Sequence, residues 1–247
     1  MEFSIAIPAR LGSIRLPGKV LADLCGKPVL RHVWERAIGI SGVGEVVVLT
    51  ESEKVQRAVE SWGGVCHMTP ETCGSGTERI GTAIGKLRGD YIFNVQGDEP
   101  FFDGELIGLM VQRTRKRQDF DVLTPIFPIR DNKLLESSNV VKVITDYSDR
   151  ALYFSRCPVP FIRDCPQEQW LSRDLHRGHL GIYLYRREIL EKFCQLPPSP
   201  LAAAESLEQL RLLQMGHCIR TIVAEKFAPA IDVPEDLIFA RKILSRR

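Results

Sequence analysis

The 247-residue sequence lacks several things, and each absence narrows its class. It has no C-x-x-C pair, and its seven cysteines, at 25, 66, 73, 157, 165, 194 and 218, are scattered and odd in number. That argues against a disulfide framework or a cysteine-built zinc site, and it suits a reducing compartment such as the cytoplasm. It has little net charge: +2 is too near balance for the broad basic field that holds nucleic acid, so no nucleic-acid partner is expected. No apolar run is long enough to cross a bilayer, so no membrane partner is expected either. Met1-Glu2-Phe3-Ser4 has no basic n-region, and no secretory signal is expected. Two nucleotide signatures are missing as well. No G-x-x-x-x-G-K-[ST] occurs, and Gly74-x-Gly76 is not the dinucleotide fingerprint, because Arg79 stands where a third glycine belongs.

What the chain does have is alternation. Phe3 to Ile7 is a short apolar run that reads as a buried strand. Pro28 opens a predicted helix with Val29, Leu30, Val33, Trp34 and Ala37 at helical spacing. Strands follow at 45–50, 65–68 and 91–95, separated by a helix after Thr50 or Ser52 and another over 77–87. A helix from Asp103 to about Arg115 presents Leu106, Ile107, Leu109, Met110 and Val111. This order predicts a parallel sheet with helices on both faces. The second half is richer in strands, at 121–129, 140–145, 151–154, 181–185 and 219–224. A polar surface loop is expected over 163–178, a helix over 203–215 and a terminal helix over 234–244. The expectation is one α/β domain with a mainly parallel central sheet and an inserted antiparallel region.

Ligands bind such sheets beyond the carboxyl ends of the strands, and three polar motifs fall there. The first is the stretch from Ile7 to Lys19, with Arg10, Arg15 and Lys19 set among Gly12, Ser13, Pro17 and Gly18. Glycines let backbone N–H groups approach an anion, and guanidinium forks grip phosphate oxygens, so a polyphosphate clamp and a charged surface loop are both open readings. The second is the glycine turn at 74–76. The third, Gln96-Gly97-Asp98-Glu99-Pro100, places carboxylates opposite the clamp, which suits Mg²⁺ shared with phosphates. Asp232 is a possible second ligand, though an Asp just before Pro234 also suits a helix cap. His179 and Tyr183 alternate with the same parity, so one strand face could carry both. Glu205, Glu208 and Gln209 share a helix face that pattern alone reads as solvated.

Together the motifs carry a resemblance. Ile-Pro-Ala-Arg at 7–10 with Arg-Leu-Pro-Gly-Lys at 15–19, Ser-Gly-Thr-Glu-Arg at 75–79 and Asn-Val-Gln-Gly-Asp-Glu-Pro at 94–100 are similar to the 3-deoxy-manno-octulosonate (Kdo) cytidylyltransferase family. So are the segments at 151–156, 179–183, 207–211 and 232–236. The resemblance implies a Rossmann-like nucleotidyltransferase fold and the reaction CTP + Kdo = CMP-Kdo + pyrophosphate. It also implies Mg²⁺, a homodimer and a place in lipopolysaccharide synthesis in the cytoplasm. It partitions residues 1–247 into a CTP-binding part to about 120, a sugar-binding and dimerisation region over 121–230, and a metal ligand and terminal helix over 231–247.

Carried over by motif position, Arg10, Arg15, Lys19, Ser75, Gly76 and Arg79 would bind CTP. Lys19, Asp98 and Arg15 would serve catalysis, and Asp98 and Asp232 would hold Mg²⁺. Gln96, Arg156, His179, Tyr183, Glu208 and Gln209 would hold the sugar acid, with Arg156 facing its carboxylate. Cys73-Gly74 departs from the commoner His followed by a polar residue. A sialic-acid cytidylyltransferase, a metal-dependent glycosyltransferase and a non-catalytic nucleotide-sugar binder are the competing classes. The glycosyltransferase would be expected to carry Asp-x-Asp, and here the residues are Asp98-Glu99-Pro100.

Overall fold

The computed structural model describes residues 1–13, 15–225 and 230–245; Ile14 of the clamp stretch, 226–229 and 246–247 lie outside the described residues. The strands are β1 (Phe3–Pro8), β2 (Asp23–Leu24), β3 (Lys27–Pro28), β4 (Glu45–Thr50), β5 (Val65–Met68), β6 (Tyr91–Asn94), β7 (Val122–Pro128), β8 (Lys142–Thr145), β9 (Ala151–Ser155), β10 (Arg177–His179), β11 (Tyr183–Arg186) and β12 (Ile219–Val223). The helices are α1 (Val29–Ile38), α2 (Glu53–Ser61), α3 (Gly76–Ala83), α4 (Gly104–Lys116), α5 (Asn132–Glu136), α6 (Arg187–Phe193), α7 (Pro200–Glu205), α8 (Gln209–Gln214) and α9 (Pro234–Leu244). Two compact units result. One holds Met1–Arg117, Leu184–Cys194 and the described part of Ala228–Arg247; the other holds Gln118–Tyr183 and the described part of Gln195–Phe227.

In the first unit the strands run β5-β4-β1-β6, and β1 pairs in parallel with β4 and β6, as β4 does with β5. Every residue of β1 is buried, as a central parallel strand requires. The helices start where local chemistry places them. The Ser52 hydroxyl caps α2 and the Asp103 carboxylate caps α4. Leu109, expected on the inner face of α4, is exposed, while Leu106, Ile107, Met110 and Val111 are buried. The helix expected over 77–87 ends at Ala83 and continues as a 3₁₀ turn over Ile84–Lys86. At the carboxyl terminus, Leu237 and Ala240 of α9 pack with Leu24, Val29 and Ile231, and the Arg241 guanidinium donates to the Asp23 carbonyl at 2.7 Å. That packing fixes the segment just before α9.

In the second unit β7-β10-β8-β9 is antiparallel, and β12 adds in parallel to β7. Two expectations are corrected here. The stretch over 163–178 is not all loop: it contains a 3₁₀ helix, Gln167–Arg173, and reaches into β10. Trp170 anchors it by packing with Phe127, Ile129 and Leu135. The helix expected over 203–215 is broken into α7 and α8 by Ser206, whose φ of 51° is left-handed. Tertiary bonds outweigh propensity at this break. The Glu205 carboxylate accepts the Arg156 N–H at 2.8 Å and the Ser155 hydroxyl at 2.7 Å. The carbonyls of Glu205 and Ser206 take the Arg156 guanidinium.

Gly178 pairs with Phe127 across β10 and β7, and a Cβ there would run into the Phe127 ring. Gly178→Ala should therefore cost about 1–2 kcal/mol of stability through overpacking. An unchanged urea midpoint would contradict this packing.

Candidate active site

The cationic loop leaves β1 after Pro8. The Ala9 N–H still bonds the Leu49 carbonyl at 2.8 Å, and the chain then turns out of the sheet. The Leu11 carbonyl accepts the Gly18 N–H at 3.2 Å, which closes the loop on itself. Gly18 has φ of 69°, a conformation glycine adopts without steric cost. Lys19 follows at once, opening a single 3₁₀ turn, and its side chain is 11% exposed.

Lys19 Nζ is the centre of the site. It forms ion pairs with Asp98 Oδ2 and, at 2.9 Å, with Asp232 Oδ1. Arg15 Nη2 reaches the other oxygen of Asp232 at 3.2 Å. Asp98 comes from the turn after β6, where Gly97 lets the chains pass closely: a Cβ there would lie 3.1 Å from the Pro8 carbonyl. Asp232 is brought in by the Ile231 N–H, which bonds the Asp98 carbonyl at 2.9 Å. The alternative of Asp232 as a helix cap does not hold. Asp236 does that work, its Oδ2 accepting the N–H groups of Asp232 and Val233 at 2.9 and 3.0 Å. Burial opposes the charge on Lys19, but Asp98 and Asp232 more than offset it and hold its pKa above the ordinary lysine value. Burial, reinforced by the charges of Asp98 and Asp232, pushes the neighbouring Glu99 carboxyl up to about 8, so it is largely protonated at neutral pH.

The opposite wall is the start of α3. The Ser75 hydroxyl caps the helix by accepting the Glu78 N–H at 3.2 Å, and Glu78 accepts the Gly74 N–H at 2.9 Å. A Cβ on Gly76 would stand 3.0 Å from Pro8 and 3.1 Å from the Gln96 amide, so only glycine fits this approach without displacement. Gln96 is oriented through Asn94, which accepts its amide at 2.8 Å and itself donates to Thr77 at 3.2 Å. Arg79 is buried and committed: Nη2 pairs with Glu51 at 2.9 Å and Nη1 donates to Thr69 Oγ1 at 2.5 Å.

Arg10, Lys19, Ser75, Gly76, Arg79, Gln96, Asp98 and Asp232 thus line one cavity of about 230 Å³, entirely within the first unit. Arg15 is not among its lining residues; among the described residues its link to the cavity is the ion pair with Asp232. Sequence reasoning passed over Glu51. It lies outside every motif, and its position just past the end of β4 was the one available signal.

In the second unit, His179 and Tyr183 do not share a strand. They lie on β10 and β11, and their rings meet at 5.2 Å between centroids. The Thr124 hydroxyl donates to the Ile182 carbonyl at 2.7 Å, so its oxygen accepts from His179 Nε2–H at 2.8 Å. Burial alone pushes the His179 imidazole down from 6.5 to about 3, so it is neutral at pH 7. Arg156 spends three nitrogens on backbone carbonyls: Nη1 on Ser138 at 2.7 Å, Nε on Glu205 at 2.6 Å and Nη2 on Ser206 at 3.2 Å. Glu208 precedes α8 as its N-cap residue. Gln209 is 2% exposed rather than on a solvated face, and its Nε2 has no hydrogen-bond partner among the described residues.

A parallel sheet whose carboxyl edge sets a closed cationic loop against two carboxylates is the site of an α/β enzyme that handles nucleoside polyphosphates. Comparison with known proteins narrows that class. The Cytidylyltransferase family matches residues 5–223. A 3-deoxy-manno-octulosonate cytidylyltransferase of Pelobacter propionicus is 41% identical over 98% of this chain and 97% of its own length. One of Escherichia coli is 40% identical over 98% of this chain and 96% of its own. A solved structure of CMP:2-keto-3-deoxy-manno-octonic acid synthetase complexed with CTP superposes with a TM-score of 0.93 at 38% identity, covering 100% of this chain and 99% of that one. The chain belongs to the 3-deoxy-manno-octulosonate cytidylyltransferase family.

Proposed function

We propose that the enzyme transfers a cytidylyl group from CTP to Kdo, giving CMP-Kdo and pyrophosphate, and so supplies an activated sugar acid for lipopolysaccharide synthesis. The observation that carries this is the convergence of Lys19, Asp98 and Asp232 in a cavity that Arg10, Ser75 and Gly76 also line. In this reading Arg10 and Arg15 hold the triphosphate, Ser75, Gly76 and Arg79 hold the cytidine, and Lys19 neutralises charge that builds on the departing pyrophosphate. A hydroxyl of the sugar attacks the α-phosphate in line; the bond to pyrophosphate breaks, and the hydroxyl proton is lost.

The donor set fits Mg²⁺. Asp98 and Asp232 both reach a single cation, the Lys19 ammonium, and Mg²⁺ is commonly held by one or two carboxylates together with substrate phosphates. Among the described residues no group of three or more His, Cys, Asp or Glu could hold a metal unaided, so phosphates would complete the shell. Bound there, Mg²⁺ would supply charge neutralisation and lower the pKa of the attacking hydroxyl.

The sugar acid is assigned to Gln96, Arg156, His179, Tyr183, Glu208 and Gln209. The orphaned amide of Gln209 supports this assignment, because a buried donor without a partner is costly until a ligand supplies one. Arg156 fits less directly, since carbonyls already hold its fork. A homodimer is supported by the exposed Leu152, Phe161 and Leu175 in the second unit. A cytoplasmic setting is supported by seven free thiols.

The deciding experiment is pyrophosphate release with CTP, UTP or ATP against Kdo, its 8-amino analogue and sialic acid. Release with CTP and Kdo, or with CTP and the amino analogue, is expected. Release with UTP but not CTP would overturn the nucleotide assignment, and activity with sialic acid alone would move the chain to a different sugar.

A further inference from the structure

Glu51 sits just past β4 on the sheet's carboxyl edge yet does not line the cavity. Its side chain is 15% exposed, and both of its oxygens are engaged. Oε1 accepts the Leu11 N–H at 2.8 Å, and Oε2 lies 2.9 Å from Arg79 Nη2. The two partners belong to different parts of the site. Leu11 is the neck of the cationic loop: Glu51 holds its N–H, and its carbonyl takes the Gly18 N–H. Arg10 stands immediately before the neck, and Lys19 immediately after its closing residue. Arg79 belongs to the cavity wall, pinned from its other side by Thr69. A carboxylate can accept from the backbone amide through one oxygen and balance the guanidinium charge with the other, whereas a glutamine keeps an acceptor but carries no charge to set against Arg79.

We propose that Glu51 is a positioning residue for the triphosphate. It holds the neck of the loop so that Arg10 and Lys19 are set for the β- and γ-phosphates before the nucleotide arrives, which removes an ordering cost from binding. This inference rests on the reading of the loop as the CTP phosphate clamp.

The test is calorimetric binding of CTP and of CMP, in Mg²⁺ buffer, to the full-length wild type, Glu51→Ala and Glu51→Gln. Losing the neck bond should raise the Kd for CTP about tenfold in Glu51→Ala. Glu51→Gln, which keeps an acceptor for the Leu11 amide, should fall between the two. CMP lacks the β- and γ-phosphates but shares the cytidine on the Arg79 side, so its Kd should rise clearly less than that of CTP, by about threefold at most. Equal weakening of CTP and CMP would reduce Glu51 to a general support of the pocket and overturn the proposal. Unchanged CTP binding in both variants would overturn it as well. Should Glu51→Ala fail to fold, Glu51→Gln carries the same comparison. If the wild type itself binds CTP no better than CMP, the phosphate clamp is the reading that falls.

Discussion

Lys19→Met should lower kcat about 10²–10³-fold, the usual loss when one charge contact to a developing anion is removed. The chain should stay folded. Lys19 lines a cavity rather than an apolar core, and the carboxylates it leaves behind are 20% and 40% exposed, so water can solvate them. Lys19→Arg keeps the charge but replaces a compact ammonium with a planar fork, so it should recover only part of the loss. Asp98→Ala attacks the same constellation from the other side and should likewise cost turnover far more than stability. The measurement is steady-state pyrophosphate release with Mg²⁺ present, set beside thermal unfolding of each variant. Near-normal kcat in Lys19→Met or Asp98→Ala would remove these residues from the chemistry. A loss of kcat that matches a loss of folded protein would reassign them to structure.

The parts of the fold that could be read in advance are those whose causes are local. β1 is an apolar run stopped by proline, α2 and α4 carry their own caps in Ser52 and Asp103, and α9 begins with Pro234. The cationic loop could be read because glycine and charge fall together in a few residues. What escaped depends on partners far along the chain. The break at Ser206 exists because Arg156, fifty positions away, takes the carbonyl there. Trp170 turns an apparently polar loop into packed structure by reaching Phe127. Glu51 falls in no motif, and its meaning depends on Leu11, forty positions earlier, and on Arg79. The proposed sugar set comes from resemblance alone. Pattern alone put Gln209 on a solvated face, and the broken helix buries it.

Acid should weaken the fold through His179. In an unfolded chain this histidine takes up a proton near pH 6.5, whereas in the folded protein burial holds it neutral down to about 3. Among the described residues no neighbouring charge compensates. The ring meets Phe154 edge-on at 5.0 Å and Tyr183 at 5.2 Å, and Nε2–H is given to the Thr124 hydroxyl. Between those two pH values the unfolded state binds the extra proton, so each falling pH unit favours unfolding by about 1.4 kcal/mol. By pH 5 the loss relative to pH 7 is about 2 kcal/mol. His179→Gln keeps a neutral amide in place of the imidazole and should lack this component. Carboxylates titrate alike in both proteins and cancel in the comparison. Urea unfolding of the two proteins at pH 7 and pH 5 is therefore expected to show the wild type losing about 2 kcal/mol more than the variant. Equal losses would mean that His179 is not buried and neutral as described. The same neutrality bears on the proposed sugar site: a ring that is uncharged at pH 7 and has given its Nε2–H to Thr124 can only accept a hydrogen bond, so a sugar carboxylate must find its positive charge elsewhere.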